Sequence, residues 1–167
     1  GTEIKITTAA YEFKGFMGMR NFIIETMDGK KLAWANSNWT HLAISTGIPA
    51  RLTPADTDNY VLGEKMEMDY APRKIKLPED MMPQESFVVQ KHHLDTNHHV
   101  NNCQYICMAE DFLPEDFKVY QMRAEYKMQA KLGDIICPKA KTEAGKVVVS
   151  LDDENGKPYA VVEFTEK

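Results

Sequence analysis

The segment from Asn97 to Leu113 constrains the fold more than any other part of this 167-residue chain. Its pattern predicts a helix, which ends at Pro114 because proline cannot continue a helix. At about 100° per residue, its apolar side chains are spread around almost the whole circumference: Val100, Cys103, Tyr105, Ile106, Cys107, Met108, Ala109, Phe112 and Leu113. A helix that is apolar on nearly every side must be wrapped by other structure.

Strand-like runs around this helix supply the wrapping. One run, residues 86–90, precedes the helix, and four follow it with glycine-containing turns between them: residues 119–131, 134–141, 147–151 and 159–164. An antiparallel sheet that curls around one central helix is the hotdog arrangement. The sequence therefore predicts an α+β hotdog fold, with one complete unit at residues 86–167.

The first seventy residues predict a partial copy of the same unit. Residues 3–13, 20–27 and 31–39 have strand patterns, and Asp28-Gly29 is a hairpin signal because both central residues of such a turn need positive φ. The order strand, Asp28-Gly29-Lys30, strand is repeated near the end of the chain around Asn155-Gly156. We predict that residues 1–70 form a first hotdog unit that lacks its opening strand and helix.

A proline-rich segment separates the two units. Residues 71–85 contain Pro72, Pro78 and Pro83 together with several charges, a composition typical of a linker that lies over the surface. An incomplete sheet in the first unit would expose an edge that invites pairing, so we expect a homo-oligomer.

Composition excludes several classes of partner. The net charge of −5 argues against nucleic acid, and no apolar run is long enough to cross a membrane. The chain does not open with the pattern of a secretory signal. Three cysteines without a CxxC pair are typical of reduced thiols, so we expect a cytoplasmic protein.

Asp95, Asn97 and His99 alternate where a strand is predicted to give way to the helix. In an extended turn, alternate residues project to one side and reach the first turn of the helix, whose free N–H groups favour negative charge. Preorganised donors there would stabilise the oxyanion that develops on a carbonyl substrate, each contributing roughly 3–4 kcal/mol. The carboxylate and the imidazole could transfer a proton of the attacking water, which typically raises the reaction rate about 10²–10⁴-fold.

The same residues also allow a purely structural interpretation. Asp95 or Asn97 could cap the helix, a contribution of about 1 kcal/mol. His99 could be a core histidine with a satisfied hydrogen bond, and Asn101 and Asn102 are expected to hydrogen-bond across the helix start. Spacing alone leaves both interpretations open.

Metal and thiol chemistry are weaker alternatives. The four histidines at positions 92, 93, 98 and 99 are not joined by Cys or Glu at ligand spacing, and neighbouring histidines on a strand point to opposite faces. We therefore predict no metal and no cofactor. Cys103 and Cys107 lie one helical turn apart among apolar neighbours, which favours buried structural thiols over a nucleophilic or redox pair.

The run Asp-x-Asn-x-His-Val-Asn-Asn-x-x-Tyr, from Asp95 to Tyr105, closely resembles the active-site motif of acyl-acyl-carrier-protein (acyl-ACP) thioesterases of plants and bacteria. Residues 20–39 resemble the second half of that family's first hotdog unit, and residues 125–134 resemble the strand pair after its catalytic helix. The resemblance implies that Asp95, Asn97 and His99 are catalytic. It also implies that the acyl chain lies mainly in a tunnel of the first unit.

The chain departs from the family pattern at two positions on the strand expected after the helix. Many members have a catalytic Glu there, some followed by Cys, whereas this chain has Gln129 and Ala130. Ala130 excludes a cysteine nucleophile, and Gln129 cannot act as a base although it could hold a water. Gln129 therefore joins the candidate catalytic set, and proton transfer would fall to Asp95 and His99.

The resemblance implies a thioesterase that hydrolyses fatty acyl-ACP to a free fatty acid and the carrier protein. The alternatives are an acyl-coenzyme A thioesterase and a weakly catalytic acyl-binding module. An acidic carrier would need a local basic patch, for which the sequence offers two candidates. One is Arg73, Lys74 and Lys76; the other is Arg123, Lys127 and Lys131, expected on one face of a strand.

Overall fold

The structure, a computed structural model, describes all of residues 1–167. It contains two compact units, residues 1–71 and residues 72–167. None of its helices is both long enough and apolar enough to span a membrane.

The first unit is built on a three-stranded antiparallel sheet. Strands β1 (Ile4–Lys14), β2 (Met17–Thr26) and β3 (Lys31–Thr40) pair in the order β1-β2-β3. These strands confirm the three predicted runs, and the irregular segment after them contains only the four-residue helix α1 (Pro54–Thr57), which buries no side chain. Backbone pairing extends along both strand pairs, and each pair contains one bulge.

The two faces of this sheet are covered differently. Asn21 is buried, and its Oδ1 accepts hydrogen bonds from the Met66 backbone N–H (3.0 Å) and the Tyr70 hydroxyl (3.2 Å), which hold residues 63–70 against one face. Ile6 and Trp39 lie on the opposite face by the two-residue period of a strand, and they are 65% and 58% exposed. This face therefore leaves large apolar side chains open to solvent.

The second unit contains one central helix and a curved antiparallel sheet, which confirms the predicted hotdog fold. The helix is α2 (Asn102–Glu110), and a short 3₁₀ helix, Lys91–His93, precedes it. The strands are β4 (Met82–Pro83), β5 (Phe87–Val88), β6 (Gln121–Tyr126), β7 (Ile135–Glu143), β8 (Lys146–Asp152) and β9 (Pro158–Thr165). They pair in the order β4-β7-β8-β9-β6, and β5 also pairs with β7.

The core of the second unit lies between α2 and the sheet. Tyr105, Met108 and Ala109 of the helix are buried with alternate side chains of β8 and β9, such as Val149 and Phe164. This packing follows from the two-residue period of strands, which points every second side chain at the helix. Burial of such large apolar side chains, at about 1.5–3 kcal/mol each, is the main stabilising contribution.

The other face of the same sheet is covered by the proline-rich segment. Ile75 is only 6% exposed and packs against Val148 and Val161. Met82–Pro83 then pairs with β7. Residues 72–83 therefore pack as part of the second unit, because their few apolar side chains cover the apolar residues that β8 and β9 present outwards.

The predicted helix boundaries, 97–113, are wrong, and so is the prediction that the helix is wrapped on every side. The helix begins at Asn102 because the side chain of Asp95 bonds to backbone N–H groups and stabilises a turn instead. It ends at Glu110, with Asp111 as its C-cap. Cys103 and Cys107 are exposed rather than buried, since the sheet covers one side of α2 and both thiols lie on the other.

The predicted turn at Asp28-Gly29 is also of a different type. Only Gly29 has positive φ (89°), whereas the predicted turn required it at both positions. Thr26 N–H donates to the Lys30 carbonyl and Gly29 N–H donates to the Thr26 carbonyl, which makes a longer loop ending in a left-handed residue. The turn before β9 has the same two backbone bonds, as its similar sequence predicts.

Candidate active site

The candidate catalytic residues lie on a tight turn, residues 95–99, and not on the helix itself. Asp95 N–H donates to the His99 carbonyl (2.9 Å), and His98 N–H donates to the Asp95 carbonyl (3.1 Å). His98 has φ of 61° and is the one non-glycine residue of the chain with positive φ. The residues on either side, Leu94 and Val100, form an antiparallel bridge, so the turn is the tip of a short hairpin.

The Asp95 carboxylate holds this turn from the inside. Its Oδ1 accepts a hydrogen bond from the backbone N–H of Asn97 at 2.8 Å and a longer one from that of His99 at 3.4 Å. A carboxylate that accepts backbone bonds two and four residues along the chain is an Asx-type turn, which explains why the helix does not start here. The bonds also bring the two other motif residues, Asn97 and His99, into a fixed arrangement.

The turn lies beside the segment that contains Gln129. Val100 N–H donates to the Ala130 carbonyl (2.9 Å), and His99 forms an antiparallel bridge with Lys131. The backbone therefore pairs the end of the turn with residues 130 and 131, and Gln129 precedes this pairing by one residue. The predicted strand through this region, residues 119–131, is too long: β6 ends at Tyr126, and Gln129 lies in the irregular segment that follows.

Tyr105 connects helix, turn and the 129–131 segment. Its hydroxyl accepts a hydrogen bond of 2.8 Å from the Ala130 backbone N–H, and both residues are fully buried. Ala130 thus bonds to the helix through its N–H and to the turn through its carbonyl. Tyr105 could be singled out from the sequence by its place in the motif, but its hydrogen bond to Ala130 could not.

The four candidate side chains differ in exposure. Asp95 and His99 are half-buried, whereas Asn97 and Gln129 are exposed. No hydrogen bond joins these four side chains to one another, and Oδ2 of Asp95 has no protein partner. The arrangement leaves an amide, an imidazole and a second amide open to a substrate on a rigid backbone.

The start of α2 is less open than the sequence predicts. Asn101, not Asp95 or Asn97, is the N-cap, and its Oδ1 accepts from the Cys103 N–H at 2.8 Å. The Tyr126 hydroxyl donates to the Asn102 carbonyl. The Asn101 side chain therefore hydrogen-bonds at the helix start as expected and occupies one N–H group there, whereas Asn102 takes part through its backbone carbonyl.

Burial shifts the pKa values of several aromatic residues near the turn. Burial raises the pKa of Tyr105, and a hydrogen bond from Ala130 only partly opposes this. Burial, with the Asp134 carboxylate beside it, raises the pKa of Tyr159 to about 12. Burial lowers the pKa of His93, and the neighbouring His92 lowers it further. The Nδ1 of His93 accepts a hydrogen bond from the Gln90 N–H at 3.0 Å.

The histidines near the turn form no cluster of three metal-ligating side chains with Cys, Asp or Glu.

A cavity of about 550 Å³ in the same unit lies at the other end of α2, around Phe112 and Lys141, and none of the candidate residues lines it. In the first unit, a cavity of about 320 Å³ is lined mainly by Phe13, Trp39 and Tyr60.

The second predicted basic patch does not form. Because β6 ends at Tyr126, Arg123, Lys127 and Lys131 do not share one strand face. Arg123 pairs with Glu163 at 2.6 Å, and Lys127 pairs with Glu125 at 3.1 Å. In the first patch, Lys74 and Lys76 are exposed.

Residues 76–164, more than half of the chain, match the sequence model of the acyl-ACP thioesterase C-terminal domain. A comparison with curated protein sequences gives no match. Solved structures similar to the chain include an acyl-ACP thioesterase from Bacteroides thetaiotaomicron, with 20% identity and a TM-score of 0.86; 97% of this chain and 68% of that chain are covered.

Two further solved structures share the fold. A putative oleoyl thioesterase from Lactobacillus plantarum has 20% identity and a TM-score of 0.74, with 96% of this chain and 66% of that chain covered. The 12:0-ACP thioesterase from Umbellularia californica has 16% identity and a TM-score of 0.72, with 97% and 65% covered. The chain spans about two thirds of the length of these proteins. The family match includes the turn, α2 and the sheet that carry the candidate site, and the chain belongs to the acyl-ACP thioesterase family of thioester hydrolases.

Proposed function

We propose that this chain hydrolyses fatty acyl-ACP to a free fatty acid and the carrier protein, with Asp95, Asn97, His99 and Gln129 as its catalytic set. The observation that carries the proposal is the 95–99 turn, which holds Asn97 and His99 rigidly beside the 129–131 segment in a unit that matches the family.

In this proposal, water attacks the thioester carbonyl carbon and the carrier's sulfur leaves. The Asn97 amide donates to the carbonyl oxygen as it gains negative charge, an interaction that strengthens in the transition state. His99 takes the proton of the attacking water and returns a proton to the leaving thiolate. Asp95 orients His99 through the turn, and Gln129 holds the water by hydrogen bonds.

The identity of the carrier is the part of the proposal that most needs a test. The exposed Lys74 and Lys76, with Arg73, form the candidate docking patch for an acidic carrier protein. The experiment compares kcat/KM for one acyl group on the carrier and on coenzyme A, at low and high salt. We expect the carrier substrate to be preferred and its advantage to shrink in salt, because exposed charges are screened.

A charge-reversal variant, K74E/K76E, sharpens this experiment. It should lower kcat/KM for the carrier substrate and leave the coenzyme A substrate nearly unchanged. Lys118, which is exposed on another part of the unit, provides the matched control K118E. Equal efficiency for both substrates at every salt concentration would instead make the chain an acyl-coenzyme A thioesterase.

A weakly catalytic acyl-binding module is the second candidate, and Gln129 is the observation that favours it. An amide cannot replace the carboxylate that many family members have at this position. Single-turnover hydrolysis with enzyme in excess, followed by turnover with substrate in excess, separates the two. A binding module would retain bound acyl substrate without releasing thiol.

We propose that the acyl chain binds on the first unit. The lining of the 320 Å³ cavity includes three aromatic residues, Phe13, Trp39 and Tyr60, together with Met19 and Arg20, and the open sheet face beside it exposes Ile6. Apolar walls with few polar groups suit an alkyl chain. Trp39 is 58% exposed, so its fluorescence should change on titration with a fatty acid, and Trp39→Ala should weaken that binding.

We also propose that the chain associates into a homo-oligomer. Its first unit exposes two long edge strands, β1 and β3, and an apolar sheet face, which soluble proteins usually cover. Light scattering across a concentration series tests this, and a monomer at every concentration would contradict it.

A further inference from the structure

Three turns of this chain share one architecture, and the candidate active-site turn is one of them. In residues 26–30, 95–99 and 153–157, the first residue's N–H donates to the fifth residue's carbonyl at 2.8–3.0 Å. In each, the fourth residue's N–H donates back to the first residue's carbonyl at 3.0–3.1 Å. The fourth residue always has positive φ: 89° at Gly29, 61° at His98 and 76° at Gly156.

Asp95 and Asp153 make the same side-chain contacts in their turns. Oδ1 of Asp153 accepts from the backbone N–H groups of Asn155 (2.9 Å) and Lys157 (2.7 Å), two and four residues along. Oδ1 of Asp95 accepts from Asn97 and His99, also two and four residues along. Asp153 lies in the hairpin before β9 and belongs to no candidate site. An aspartate at the first position of such a turn therefore forms these bonds without any catalytic role.

The fourth residue of the active-site turn is histidine, whereas the fourth residue of the other two turns is glycine. Gly29 and Gly156 adopt positive φ without a steric penalty, because glycine has no Cβ. His98 has a Cβ, and the same conformation is strained for it. The side-chain bonds from Asp95 are therefore more important to this turn than those from Asp153 are to its glycine-containing counterpart.

We propose, on the basis of the proposed thioesterase function, that Asp95 is a positioning residue: its Oδ1 holds the strained 95–99 turn so that Asn97 and His99 meet the substrate, and its negative charge takes no part in the proton transfer. An acceptor oxygen at this position is what the turn needs. Asparagine offers the same oxygen at the same place, without the charge.

Four variants test the proposal by their kcat, their KM and the pH dependence of kcat/KM. D95A should lose on the order of 100-fold in kcat with little change in KM, because the turn no longer places Asn97 and His99. D95N should recover most of that loss, and its pH profile should keep the acidic limb of the parent. H98G in the D95A background should also restore much of the rate, since glycine removes the strain that Asp95 opposes. D153A, in the matched turn, should leave kcat unchanged.

Backbone amide exchange provides a readout that does not depend on activity. The amides of residues 95 and 98, whose backbone hydrogen bonds close the turn, should be protected in the parent and in D95N, should exchange faster in D95A, and should regain protection in the D95A/H98G double variant. If D95N is as slow as D95A while its amides stay protected, the charge of Asp95 is needed and the proposal is overturned. Failure of H98G to restore either rate or protection overturns it too. A parent chain that hydrolyses no thioester would refute the proposed function, whereas the exchange data would still decide what holds the turn.

Discussion

The Tyr105 hydroxyl accepts a 2.8 Å hydrogen bond from the backbone N–H of Ala130, and neither residue reaches solvent. Ala130 has no side chain that could move to compensate, and no water has access to the buried N–H. The same residue's carbonyl accepts from Val100 N–H at the end of the active-site turn. The backbone of Ala130 therefore joins the helix to the end of the active-site turn.

Tyr105→Phe should therefore destabilise the protein by about 1–3 kcal/mol, the usual cost of a buried donor without an acceptor. Urea unfolding followed by circular dichroism measures the change. Tyr159→Phe is the matched control: its hydroxyl makes one long contact, 3.4 Å to Asp134, and that carboxylate also accepts from the Lys131 N–H. Equal losses in the two variants would contradict the role assigned to Tyr105.

His99→Ala and Asn97→Ala should each abolish most of the thioesterase activity while the protein stays folded. The expected loss in kcat is roughly 10²–10⁴-fold for the proton-transfer group and about 10²–10³-fold for the oxyanion donor. Single-turnover hydrolysis of an acyl-ACP substrate measures both. Cys103→Ser, an exposed change on the neighbouring helix, is the control and should retain the parent rate. Near-parent rates in both variants would mean that the motif is structural.

Replacing Gln129 by Glu should preserve more activity than replacing it by Ala. Gln129→Glu should match or exceed the parent rate, because an exposed Glu beside His99 adds a base without a burial cost. Gln129→Ala should lower the rate by less than the roughly 10²–10⁴-fold of a general base, since the amide only holds water. A large rate loss in Gln129→Glu would show instead that an amide N–H donor is required there.

Alkaline pH should destabilise the second unit through Tyr159. Burial and the Asp134 carboxylate raise the pKa of this phenol to about 12, above its ordinary value of about 10. A raised folded-state pKa means that the stabilisation is complete below about pH 10 and is lost as the pH rises towards 12, because the unfolded chain ionises first. Denaturant midpoints measured across this range should fall in the parent and fall less in Tyr159→Phe. An equal decline in both proteins would exclude Tyr159 as the cause.

The sequence by itself predicted most of the strands and the candidate residues of the site. The alternation of apolar residues predicted the strands, because a strand half-buried against a helix must alternate, and the resulting sheet confirms the hotdog fold. Asp95, Asn97 and His99 were identified by their spacing and by their resemblance to a known motif. Those are local properties, which a stretch of ten or twenty residues expresses without its surroundings.

The tertiary structure decided where α2 begins, which thiols are exposed and what each polar side chain holds. The Asp95 side chain competes with the helix for backbone N–H groups, and whether it succeeds depends on the pairing of Val100 with Ala130, thirty residues along the chain. Cys103 and Cys107 are exposed because the sheet covers only the opposite side of α2. The left-handed conformation of His98 could not be predicted from a sequence that has no glycine there, because it follows from the hydrogen bonds that close the 95–99 turn in the folded chain.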